Sequence, residues 1–159
     1  MKTFKIFLIL LFLLSPHVSQ ANDAGGPPKA EELVGFWKME PWPNPDVQKI
    51  NPWPMPYQWF GFYEDGRLYS MMKTEGGDYT AKDLHEIFSV LNMNPPRYEL
   101  HGQFLTVNDP NIDGYEELWG VNLFSRDLGS VAKKGDLVMS LAGGKDGAPV
   151  YYRLLRKVK

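Results

Sequence analysis

The chain has 159 residues, 17 of them Lys or Arg and 19 Asp or Glu, with no cysteine at all. That charge balance excludes a nucleic-acid binder that relies on a basic footprint, and the missing thiols exclude cysteine nucleophiles, disulfides and thiolate metal sites. Aromatic side chains make up 14% of the residues; most fall in strand-like segments, so the composition points to a β fold with an aromatic interior.

Residues 1–21 read as a secretory signal peptide. Lys2 and Lys5 supply a positive start, 6–14 is an apolar run too short to span a bilayer comfortably, and Ser19-Gln20-Ala21 places small residues before a cut after Ala21. Pro16, His17, Ser19 and Gln20 interrupt the run, which weighs against a membrane anchor and leaves no membrane span after cleavage. Loss of Lys2 and Lys5 leaves 15 basic against 19 acidic side chains, a net charge of −4. Such a surface suits neither nucleic acid nor an anionic membrane. The protein is therefore expected to be exported, to a periplasm or to the outside of the cell. Its 138 mature residues fit one domain that can build a core without disulfides.

Residues 22–30, with Gly25-Gly26 and Pro27-Pro28, read as a flexible spacer. The domain is expected over 31–158. It opens with a strand over 33–40, in which Leu33, Gly35, Trp37 and Met39 share one face while Lys38 and Glu40 meet water. Residues 41–56 carry six prolines and both Trp42 and Trp53, which forbids a regular ladder and predicts a long loop lying over something. Strands over 57–64 and 67–73 flank Asp65-Gly66, a strong hairpin signal. Trp59, Phe60, Phe62 and Tyr63 put aromatics on both faces of the first strand, so one face needs a cover from the chain or from a ligand.

Thr80 followed by Asp83 reads as a capped helix start, and Leu84, Ile87, Phe88 and Leu91 keep helical spacing up to Pro95-Pro96. This short helix is expected to lie across the barrel or sheet as a cap. Strands follow over 97–101, 103–108, 115–124, 137–142 and 150–158. Trp119, Val121 and Leu123 alternate onto one face, as do Leu137, Met139 and Leu141.

About eight short strands in neighbour order are what an up-and-down antiparallel barrel needs to remove its edges. With Gly35-Phe36-Trp37 in the opening strand and Arg153 and Arg156 in the last, the chain resembles the lipocalin-like (calycin) small barrels of bacterial exported type. The hairpin of Phe60, Phe62 and Asp65-Gly66 is similar to theirs as well. The resemblance implies that Trp37, after Gly35, closes one barrel end and that Arg153 or Arg156 stacks on its face, a structural role for all four. It also implies a small apolar or amphipathic ligand and no cofactor. The chain departs from typical secreted lipocalins in its Pro-rich insertion, in the helix over 81–91 and in lacking both their disulfide and their large C-terminal helix.

An aromatic interior can be a filled core or a ligand pocket. If hollow, Trp59, Phe60, Phe62, Tyr69, Met72, Trp119 and Tyr152 are the candidate lining, with polar hooks from Tyr63, Tyr69, Tyr115 or Arg153. The methionines and histidines form no M-x-x-M or H-x-x-M cluster for copper. Asp109, Asn111 and Asp113 begin like a calcium loop, but Gly120 stands where its glutamate is required. Neither metal is expected. No G-x-S-x-G, H-E-x-x-H or phosphate-binding glycine loop occurs, so catalysis would depend on the fold bringing His101 and Glu117 together. The leading expectation is a non-enzymatic ligand-binding barrel. The alternatives are an interaction module that docks a protein partner through Trp42 and Trp53, and, less favoured, a barrel enzyme.

Overall fold

The computed structural model describes residues 24–42, 53, 55–91, 94–143 and 149–159. The expected signal peptide lies outside the described residues, as do residues 43–52 and 54 of the Pro-rich segment. In chain order the elements are β1 (Gly25–Gly26), α1 (Ala30–Leu33), β2 (Gly35–Glu40), β3 (Tyr57–Phe62), β4 (Leu68–Lys73), α2 (Ala81–Ser89), β5 (Arg97–His101), β6 (Phe104–Asn108), β7 (Glu116–Phe124), β8 (Leu137–Ala142) and β9 (Pro149–Lys157).

All strand pairings are antiparallel, and the eight longer strands run β4-β3-β2-β9-β8-β7-β6-β5. Neighbours in sequence are neighbours in the sheet, and the first long strand pairs with the last. The sheet curls until β4 and β5 meet at a single bridge, Arg67 to Arg97. There the Leu68 N–H donates to Pro96 O (2.9 Å) and the Tyr98 N–H to Gly66 O (2.8 Å). This is the expected eight-stranded up-and-down barrel, with one seam.

Two expectations for the start of the domain need correction. The described part of the supposed spacer has fixed structure: β1 lies on β7, with Gly25 opposite Phe124, and the Ser125 N–H donates to Ala24 O at 2.9 Å. A Cβ at position 25 would come within 2.4 Å of the Leu123 carbonyl oxygen, so the glycine that suggested flexibility instead permits close backbone pairing. The first strand also starts two residues later than expected. Leu33 ends the one-turn helix α1, where the Lys29 N–H donates to Glu32 Oε2 (2.7 Å).

Gly35 links that turn to β2 with φ +126°, a conformation that side-chain-bearing residues rarely adopt. The chain then turns so that Trp37 drops into the barrel, 1% exposed, with its indole N–H donating to Leu33 O at 2.8 Å. Trp37, Leu33, Leu137 and Leu155 fill the end where β2 begins. The cation on the Trp37 ring is Lys157 Nζ, 5.1 Å from the centroid. Neither arginine is there: Arg153 stands over other rings, and Arg156 grips Asp136 through two bonds of 2.9 and 2.7 Å. Register explains the exchange, because Trp37 pairs with Lys157 across β2 and β9.

The expected hairpin forms, with Gly66 at φ +80° and its N–H donating to Tyr63 O at 3.0 Å. Helix α2 is capped as read: Thr80 Oγ1 accepts the Asp83 N–H (3.2 Å), and Asp83 Oδ2 accepts the Thr80 N–H (2.8 Å). It does not close a barrel end. Leu84 and Phe88 pack on Trp59 and Tyr69 at the outer face of the sheet, with Phe36 and Met71 beside them. That second core is the cover that the two-faced aromatic strand β3 required.

Candidate functional site

Away from the Trp37 end, two polar side chains, Gln58 and Arg153, are buried. Arg153 sits on β9 between Tyr151 and Leu155, opposite Met139, and its inward side chain is 4% exposed. Its guanidinium carbon lies 3.9 Å from the Trp53 ring centroid, 4.5 Å from Trp119 and 4.7 Å from Phe60, with Tyr151 at 5.8 Å. Rings attract a desolvated cation through their quadrupoles. Burial nevertheless lowers the pKa of Arg153 to about 10, against the opposing pull of the nearby Tyr151 and Glu117. Its Nε–H has no acceptor.

The neighbouring polar groups, by contrast, are already matched. Glu117 accepts from the Tyr115 hydroxyl through one oxygen and from the Trp119 indole N–H (2.8 Å) through the other. Burial first, and the Glu117 carboxylate second, raise the Tyr115 pKa. Asp109 Oδ1 accepts from both the backbone N–H (2.9 Å) and the side-chain amide (2.8 Å) of Asn111, an Asx turn rather than a calcium loop. The Tyr151 hydroxyl donates to Met39 Sδ at 3.6 Å, and burial raises its pKa.

Beside the guanidinium lies a cavity of about 170 Å³, walled by Phe60, Met72, Trp53, Tyr115, Glu117 and Arg153. Trp53 closes it from the Pro-rich segment, stacked on Trp119 (5.9 Å between centroids, 21° between planes) and tilted against Tyr151 at 5.5 Å. The seam residues Leu68, Ser70, Met72 and Pro96 also line it, with Ser70 exposed and Met72 half-buried. Four larger hollows, of about 400 to 540 Å³, exist. One is an outer groove beside α2 whose charged wall, Arg67 and Asp65, is paired at 2.7 Å, and none of the four is lined by an unmatched buried group among the described residues.

Of the seven candidate lining residues, Phe60, Phe62, Met72 and Trp119 face the interior. Phe60 and Met72 line the cavity, and Phe62 packs edge-on against Tyr98. Trp59 and Tyr69 lie under α2 on the outside, with Tyr63 next to them, and Tyr152 faces Trp42 on the outer wall at 6.2 Å. Of the proposed hooks, Arg153 and Tyr115 reach the cavity. His101 approaches Glu99 (3.3 Å) rather than Glu117, so the acid–base pair that catalysis required does not assemble. Among the described residues no group of three or more His, Cys, Asp or Glu side chains is placed to hold a metal. Tyr151 and the inward turn of Trp53 were not read from the sequence; Tyr151 alone carried a signal, being two residues from Arg153 on an alternating strand.

No family model matches this chain, and no curated protein or solved structure matches it either.

Proposed function

We propose that this is an exported, non-enzymatic, lipocalin-like barrel that holds a small amphipathic molecule in the cavity beside Arg153. The observation that carries the reading is a buried guanidinium, walled by aromatic rings, beside a cavity lined in part by the seam residues Leu68, Ser70, Met72 and Pro96. Polar groups converging on a hollow with aromatic walls are a usual mark of a small-molecule site. Export rests on the apolar run at 6–14 behind Lys2 and Lys5. The interaction reading is weakened because Trp53 spends its ring surface inside the barrel, leaving Trp42 alone as an anchor.

Native mass spectrometry of protein purified from its own compartment tests both parts. The expected result is a chain beginning at Asn22 that carries a bound small molecule. A chain that retains residues 1–21 removes export, and consistently ligand-free protein removes the binding function.

A further inference from the structure

The outer wall of the barrel carries a hollow of different chemistry from the cavity beside Arg153. It measures about 460 Å³, within the roughly 300 to 1,000 Å³ of small-molecule sites. One side of it is aromatic. Trp42 follows β2, and the register of β2 with β9, continued past Glu40 and Leu154, sets it opposite Tyr152. The two rings stand 6.2 Å apart with planes inclined by 30°, and both are half-buried. The other side carries amides. Asn122 points outward from β7, and Gln103 comes up beside it, its carbonyl accepting the Val121 N–H at 2.8 Å. Both side chains are exposed. Val138, paired with Asn122 across β7 and β8, and Phe124 add apolar surface.

None of the described residues lining this hollow is Asp, Glu, Lys, Arg or His, whereas each of the other four holds at least one. An ion entering it would lose hydration without meeting an opposite charge. A wholly apolar molecule would cover the two amides and leave their donors and acceptors unmatched. The ligand that fits is neutral, with an apolar face for the rings and several hydroxyls for the amides, since a hydroxyl both donates and accepts as a primary amide does. A pyranose has that division of surface: its C–H bonds project from the ring faces and its hydroxyls from the rim.

We propose that the hollow between Trp42, Tyr152, Gln103 and Asn122 binds a neutral sugar ring, its C–H face against the aromatic side and its hydroxyls on the amides. Glucose, galactose, mannose and N-acetylglucosamine, titrated into the isotope-labelled mature protein and followed by NMR, form the test, with the uronate and the amino sugar of each hexose as charged counterparts. At least one neutral sugar is expected to shift the Trp42 indole and the Gln103 and Asn122 side-chain amide resonances saturably. Its charged counterparts should bind at least about threefold more weakly, having no opposite charge to meet. Asn122→Ala, a change at an exposed position, should lower the affinity about two- to tenfold, the ratio for one neutral hydrogen bond, and Trp42→Ala at least as much.

A disaccharide of the sugar that binds separates its two sources: a raised affinity assigns the hollow to a glycan chain and an unchanged one to a free sugar, and both uphold the proposal. Failure of every neutral sugar to shift these resonances overturns it. So does a charged counterpart that binds as tightly as its neutral sugar, or an affinity that neither Asn122→Ala nor Trp42→Ala changes. A proline-rich peptide that shifts the same resonances where no sugar does reassigns the rings to peptide docking and overturns it too. None of these outcomes bears on the cavity beside Arg153, which native mass spectrometry tests separately.

Discussion

Arg153 is the residue at which stability and binding compete. Burial lowers its pKa from the ordinary guanidinium range to about 10, which corresponds to roughly 3 kcal/mol against the charged form in this site. The surrounding rings return about 2 kcal/mol, the scale of a desolvated cation–π contact, so the guanidinium should oppose folding by about 1 kcal/mol. Its pH dependence has a defined sign. Above about pH 10 the unfolded chain binds more protons at this group than the folded one, so the cost is present below pH 10 and is relieved as pH rises beyond it. Replacing an unpaired buried charge by an apolar side chain of similar length is often neutral or stabilising. Arg153→Met should therefore raise stability by about 1 kcal/mol in urea denaturation at neutral pH. A clear loss of stability would show that the aromatic box holds the cation more strongly than water does.

At the scale of elements, α2 is held by a local cap and a tight packing face, and each gives a prediction. The Thr80 backbone and side-chain hydrogen bonds lower the Asp83 pKa. A carboxylate with a depressed folded pKa contributes stability above its unfolded value, near 3.8, and loses it as pH falls through the lowered one. Helical circular dichroism should therefore decline on acidification through that range, and the corresponding step should be absent in Asp83→Asn. On the packing face, a Cβ on Gly61 would stand 2.9 Å from Phe88 Cδ2 and 3.2 Å from Phe36 Cε1. Phe88 is itself stacked between Phe36 (6.1 Å) and Tyr69 (5.6 Å) and has little room to yield. Gly61→Ala should cost about 1 to 3 kcal/mol as overpacking, read by denaturant titration, and a neutral result would mean that α2 can shift on the sheet.

These elements also show where the sequence was informative. The cap of Thr80 with Asp83 and the turn at Asp65-Gly66 were legible because each depends on side-chain and backbone chemistry within a few residues. The inward set Trp119, Val121, Leu137 and Met139 was legible from period-two alternation. Alternation also shows why the lining set failed in part: Trp59 and Phe60 are adjacent on one strand and cannot both face the interior. Which of them turns inward depends on α2 covering the other face, and no local rule supplies that contact. The partner of Trp37 escaped for a related reason. Lys157 reaches it through a strand register spanning nearly the whole chain, whereas Arg153 and Arg156 differed from it only by position on β9.

For the molecule as a whole, the barrel is asymmetric along its axis and around its circumference. One end is sealed by Trp37 and its aliphatic neighbours, while the buried cation and the cavity lie toward the other. Around the circumference, β4 and β5 are staggered and share only the bridge at Arg67 and Arg97. Because the Leu68 N–H crosses the seam to Pro96, alternation sends the Ser70 and Met72 amides in the same direction. The Tyr69 and Met71 amides point instead to β3, opposite Gly61 and Trp59. Ser70 and Met72 also line the cavity, so the outward edge of β4 borders it. Hydrogen exchange followed by NMR should find the Ser70 and Met72 amides exchanging far faster than those of Tyr69 and Met71. If all four are equally protected, the seam is closed by pairing along its length.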